Sequence, residues 1–140
     1  EWACTEDKII IEKIGVGDKA SEAVVGVRDD GAASLGAKIM DKSGENCEKV
    51  YVDTLDNYFK EQKVSFIKAD IESYEEKMLL GARNVIERDL PIIAVCIYHN
   101  ASDMYRIPLL LHEMNGGYKL RIRQHFAGDF AETVLYACSE

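Results

Sequence analysis

Phe66-Ile67-Lys68-Ala69-Asp70-Ile71-Glu72 carries the fold reading. Val64 to Ala69 reads as a strand with an apolar centre, and it ends in two carboxylates. Immediately after it, Met78, Leu79, Ala82, Val85 and Ile86 recur at helical spacing, which predicts one helix over Glu72 to Arg88 with a single buried stripe. Glu72, Glu75 and Glu76 crowd its first turn, where the helix dipole favours negative charge. Pro91 to Tyr98 follows and is nearly all apolar, as a strand buried on both faces must be. A strand, a helix and a second buried strand in that order make the unit of an α/β sheet with right-handed crossovers.

The pattern continues outward on both sides. Downstream, Ser102 to Met114 reads as a helix that Pro108 should kink or break, and Gly116-Gly117 ends it. Tyr118 to Gln124 and Glu132 to Cys138 read as strands, and two in succession suggest an antiparallel pair at the sheet edge. Upstream, Lys8 to Ile14, Ala23 to Val27 and Val50 to Val52 read as strands. Gly15-Val16-Gly17-Asp18 and Asp29 to Ser34 read as turns or loops, and Lys38 to Lys49 as polar and weakly structured. A helix from Asp53 or Thr54 to about Glu61 can be capped by either side chain. No repeat or linker divides the sequence, so residues 1–140 are expected to form one domain.

Composition excludes several classes of partner. The net charge of −8 and pI of about 4.9 repel phosphate backbones, which argues against nucleic acid. Lys119, Arg121 and Arg123 alternate along a strand and read as a solvated face. No apolar run reaches the roughly 20 residues of a membrane helix, and no signal segment opens the chain. Glu1 stands where an initiator Met would, as in a piece of a longer chain. Cys4, Cys47, Cys96 and Cys138 form no CxxC pair and have no His at zinc spacing. Free thiols in a cytoplasmic protein are the simplest reading, with a disulfide from Cys4 or Cys47 left open.

In an open α/β sheet, ligands bind beyond the carboxyl ends of the strands. That rule selects Asp70 and Glu72, then Tyr98, His99 and Asn100, then Gly15, Gly17 and Asp18. Asp70 and Glu72, one residue apart, can point the same way on an extended segment. They can accept hydrogen bonds, hold a cation or act as a base; equally, Asp70 can cap the next helix and Glu72 match its dipole. A histidine at a strand end can exchange a proton near neutral pH, although a lone one is more often structural. His112 and His125 do not pair with it at metal-ligand spacing, so no metal site is expected. Gly15-Val16-Gly17 lacks the third glycine of a phosphate-binding loop, and no nucleophile elbow is present.

Several segments nevertheless match one family in order. Asp53-Thr54-Leu55-Asp56, Phe66 to Glu72, Glu75 and Leu80-Gly81-Ala82 resemble the "TLD…IKxDxEGxE…LxGA" signature of FkbM-type methyltransferases. Tyr98-His99, Asp103, Ile107-Pro108 and Glu132 to Ala137 resemble its downstream pattern, so the likeness spans roughly residues 8 to 138. The resemblance implies a Rossmann-like methyltransferase sheet, mostly parallel with an antiparallel edge. It implies S-adenosylmethionine as methyl donor and a hydroxyl on a glycan or natural product as acceptor. By position it assigns His99, Asp70 and Glu72 to catalysis and Gly17, Asp18 and Asp70 to the cofactor. Ser73 departs from the family's glycine, which makes the turn less permissive. The family's glycine-rich loop and two central strands should precede residue 8, so the chain by itself is expected to bind S-adenosylmethionine weakly and to be inactive. Apolar sheet edges left open by such a truncation favour pairing with a second copy. The competing reading is a non-catalytic α/β fragment that serves as an interaction or assembly module; a sugar-binding accessory domain is a weaker third.

Overall fold

The computed structural model describes residues 9–26, 38–40, 47–128 and 131–139. The Asp29 to Ser34 loop, most of Lys38 to Lys49 and the side chains of Cys4 and Cys47 lie outside the described residues.

Four strands come first among the described residues, helices then alternate with strands, and two strands close the order. The elements are β1 (Gly15–Val16), β2 (Ser21–Gly26), β3 (Lys38–Met40), β4 (Cys47–Asp53), α1 (Leu55–Tyr58), β5 (Phe66–Ala69), α2 (Glu75–Leu80), α3 (Arg83–Asp89), β6 (Ile92–Cys96), α4 (Asp103–Met114), β7 (Lys119–Gln124) and β8 (Thr133–Cys138). They build two four-stranded sheets, ordered β1-β4-β2-β3 and β5-β6-β8-β7. Only β1 with β4 and β5 with β6 pair in parallel. The other four pairings are antiparallel. One mostly parallel sheet is therefore corrected to two mixed sheets among the described residues. The reason is connectivity: α2 and α3 carry the crossover from β5 to its parallel neighbour β6, α4 carries the chain from β6 out to β7, and β8 then returns between those two strands, antiparallel to both. The expected antiparallel pair at the edge is β8 with β7.

The second sheet carries the core. In register, Ile67 stands beside Ile93 and Ala137, and Ala69 beside Val95 and Leu135. All six are buried. Alternation puts them on one face. Val85 and Ile86 of α3, Met78 and Leu79 of α2, and Ile107 and Leu111 of α4 join the same cluster.

Four local readings change. Residues 9–14 form no strand; Ile9, Ile10 and Ile11 are exposed, and the pairing starts only at Gly15. The single helix of 72–88 is two, broken at Gly81-Ala82, and it begins at Glu75 because Glu72 and Ser73 take positive φ of 53° and 77°. Conversely, α4 runs through Pro108 unbroken. Ile107 and Leu111, both fully buried, hold the helix to the core on either side of the proline. The helix after Asp53 stops at Tyr58, short of Glu61, with Thr54 as its cap: Thr54 Oγ1 accepts from the Asn57 amide at 3.0 Å.

The break between α2 and α3 meets the residue after β1 at a close backbone approach. A Cβ on Gly81 would stand 2.0 Å from the carbonyl oxygen of Gly17 and 3.2 Å from Thr54 Cβ. The Gly81 carbonyl accepts from the Asp56 amide at 2.9 Å. Asp56 in turn caps α3, with Oδ2 accepting from the Asn84 amide at 3.1 Å and Oδ1 from the Val85 amide at 2.9 Å.

Candidate functional site

The parallel pair β5 and β6 ends in the acidic turn and the histidine loop. Asp70 follows β5 directly, and residues 71–74 form the turn into α2. Capping explains neither carboxylate. The N-cap of α2 is Tyr74 and has no side-chain cap bond, and Glu72 lies outside the helix. Ser73 holds φ 77° where glycine would be unstrained.

On the neighbouring strand, Ile97 still donates its amide to Thr133 at 3.0 Å, and the chain then turns outward. Asp103 fixes that turn: its buried Oδ2 accepts from the Asn100 amide at 3.2 Å and from Asn100 Nδ2 at 3.0 Å. The His99 side chain, 7% exposed, is thereby set among three carboxylates. Its Nε2 lies 3.4 Å from Asp70 Oδ1 and 3.9 Å from Glu72 Oε1, and its Nδ1 lies 2.9 Å from Glu75 Oε1. The last contact is close, but the ring N–H is not aimed along it, and neither ring nitrogen makes an aligned hydrogen bond.

Tyr98 and Cys96 border the cluster. Tyr98 donates its hydroxyl to Asp70 Oδ1 at 3.1 Å. Burial first, and then the Asp70 charge, hold that phenol protonated far above its ordinary range. The same two causes push the buried Cys96 thiol up to about 12, so it is inert. Glu75 is fully buried; its Oε1 accepts from the Ile71 amide at 2.8 Å, and its Oε2 has no partner.

The structure thus brings Asp70, Glu72 and His99 together. Sequence reasoning placed Glu75 in a helix turn and a motif, and Tyr98 at a strand end and in a motif, but gave neither a role at the site. The missing signal was the apolar stripe itself, because Glu75, Met78, Leu79 and Ala82 share one helical spacing and Glu75 occupies a core position in it. An ionisable group there demands a partner.

Gly17 and Asp18 stand apart from this cluster. Gly17 is buried and donates its amide to the Asp53 carbonyl at 3.0 Å; a Cβ on it would lie 3.7 Å from the Tyr74 ring, at the edge of the acidic turn. Asp18 is exposed, and among the described residues its side chain makes no hydrogen bond or ion pair. His112 is exposed, and His125 contacts the Tyr136 hydroxyl at 2.9 Å. A cavity of about 240 Å³ runs along β5, lined by Val16, Leu55, Phe59, Phe66 and Ile67 and reaching Ile71, the neighbour of Asp70.

Comparison with known proteins gives this arrangement a family. The solved structure of Methyltransferase FkbM from Methylobacillus flagellatus KT superposes with a TM-score of 0.70 at 24% identity, over 94% of this chain and 28% of that one. The chain therefore shares that fold and spans little more than a quarter of that protein's length. No curated protein matches it. Among the described residues, no helix is long and apolar enough to cross a membrane. Residues 3–120 match the Methyltransferase FkbM domain, and the chain belongs to that family.

Proposed function

We propose that this chain is the acceptor-side portion of an S-adenosylmethionine-dependent O-methyltransferase with a Rossmann-like fold in its full extent, acting on a hydroxyl of a glycan or small natural product. One observation carries the reading: in a chain of this family, three carboxylates and a histidine converge beyond the ends of two parallel strands. The donor set suits the cofactor. Carboxylates favour a cationic sulfur and a hydroxyl-rich ribose, and the apolar cavity ending at Ile71 suits a planar ring. Gly17, Asp18 and Asp70 are the residues assigned to hold it. When bound, it supplies a methyl group on a good leaving group, so positioning accounts for most of the acceleration.

The chain's own residues then have definite roles. His99 Nε2 can receive the proton of the acceptor hydroxyl. Asp70, 3.4 Å away, can stabilise the imidazolium that results and is itself oriented by Tyr98. Glu75 holds the opposite edge of the ring, and Asp103 fixes the loop that presents it.

The test is methyl transfer by the full-length protein against a panel of sugars and hydroxylated natural products. Release of S-adenosylhomocysteine with methylated product is expected, and His99→Asn should lower kcat by about a hundredfold. A folded His99→Asn variant with unchanged kcat overturns the role given to His99. The 140-residue chain alone is expected to bind S-adenosylmethionine weakly or not at all; micromolar binding by calorimetry would contradict that.

A further inference from the structure

We propose that Asp70, Glu75 and His99 form a binding site for a divalent transition-metal ion. One donor atom from each lies within 4.8 Å of the others. Carboxylate oxygens and imidazole nitrogens bind such ions at about 2.0–2.2 Å, so two ligands of one ion stand up to about 4.4 Å apart. The three donors need only a small rotation to close on an ion.

The independent observation is the state of the buried groups. His99 is 7% exposed with neither ring nitrogen in an aligned hydrogen bond. Glu75 is fully buried, and its Oε2 is without a partner. Orphaned polar atoms in such a place are costly, and each normally has an explanation. A protonated imidazole is the simple alternative, but it fits poorly. Charge-assisted N–H···O bonds are about 2.7–2.9 Å long and well aligned. Here Nε2 is 3.4 and 3.9 Å from its carboxylates, and Nδ1 is close to Glu75 but off the bond direction. A cation lying between the donors, rather than a proton on one of them, would satisfy the set and balance the surrounding negative charge. The mixture of two carboxylates with one imidazole points to Mn²⁺, Fe²⁺ or Zn²⁺ over soft ions.

The ion site stands on this geometry; its part in catalysis rests on the methyltransferase reading. Within that reading the ion would bind the acceptor hydroxyl and make it more acidic. With the ion bound His99 would serve as a ligand, and the base role given to it in the ion-free reading would pass to Glu72, 3.9 Å from its ring.

Electron paramagnetic resonance of the full chain titrated with Mn²⁺ tests this. One saturable ion per chain is expected, and nuclear magnetic resonance of the same titration should show paramagnetic broadening of the His99 ring resonances. Asp70→Asn and His99→Asn should each weaken binding by about tenfold or more. Asp70 is on the surface, so its variant should fold even if a Glu75 variant does not. Absence of saturable uptake by the folded chain, or unchanged affinity in both variants, overturns the site. Methyl transfer without ion uptake overturns the site alone; ion uptake without methyl transfer to any acceptor supports the site and counts against the methyltransferase reading.

Discussion

The two sheets differ sharply in what supports them. In the β5-β6-β8-β7 sheet, helices α2, α3 and α4 cover one face, and the core cluster runs from Val64 to Ala137. In the β1-β4-β2-β3 sheet, Val52 is the one buried hydrophobic residue among those described. Both sheets have complete ladders, but only one has a close-packed interior. The acidic turn and His99 hang from the packed one, as precise placement of a reacting group requires.

Leu79→Ala tests this contrast most severely. It should cost about 4 kcal/mol in denaturant unfolding, because Leu79 is fully buried against the second sheet. Val50→Ala, in half-buried β4, should cost about 1 kcal/mol. Equal costs would abolish the distinction. Gly81→Ala comes next, at about 3 kcal/mol, since a methyl group there collides with the Gly17 carbonyl. A near-neutral result would mean that the segment after β1 moves away from the helix break easily. Ser73→Gly should stabilise by about 0.5 kcal/mol by relieving the positive φ, an increase readable in the thermal midpoint.

The smallest effect is a pH dependence at the end of α3. Asp89, at the end of α3, accepts from Arg88 and from the Val64 amide at 2.8 Å, and these hold its carboxyl down from 3.8 to about 2. A depressed carboxyl stabilises the fold above its ordinary value. That contribution should fade as pH falls from about 4 to about 2, and Asp89→Asn should lack it in acid titrations of stability.

Legibility in the sequence followed the same division. The β5, β6, α4 and β8 segments were readable because their burial writes a regular pattern, whereas the largely exposed β7 was readable from its alternating charges. The upstream half was harder. The run Ile9 to Ile11 imitates a strand but has no paired neighbour, while β4 extends well beyond Val50 to Val52 through polar residues whose backbone pairs with β2. Composition cannot record a ladder made by the main chain. At the site, Asp70, Glu72 and His99 were found from strand ends. Glu75 was not, because its role depends on the ring of His99, which is distant in sequence and brought close only by the β5–β6 pairing. The helix break at Gly81 was likewise hidden, since the apolar stripe continues through it in Ala82, Val85 and Ile86.

Gly81 has a consequence for how this molecule can change. Its backbone angles, φ −79° and ψ 0°, are open to any residue, so conformation does not demand glycine there. The demand comes wholly from the carbonyl of Gly17 on the other side. The position therefore behaves as a gauge of the gap between two layers. A new side chain at 81 is admissible only after the segment bearing Gly17, just past β1, has retreated, and because the Tyr74 ring lies beside Gly17, that retreat would reach the acidic turn. A mutation here would be felt first as a loss of alignment at Asp70 and only afterwards as unfolding.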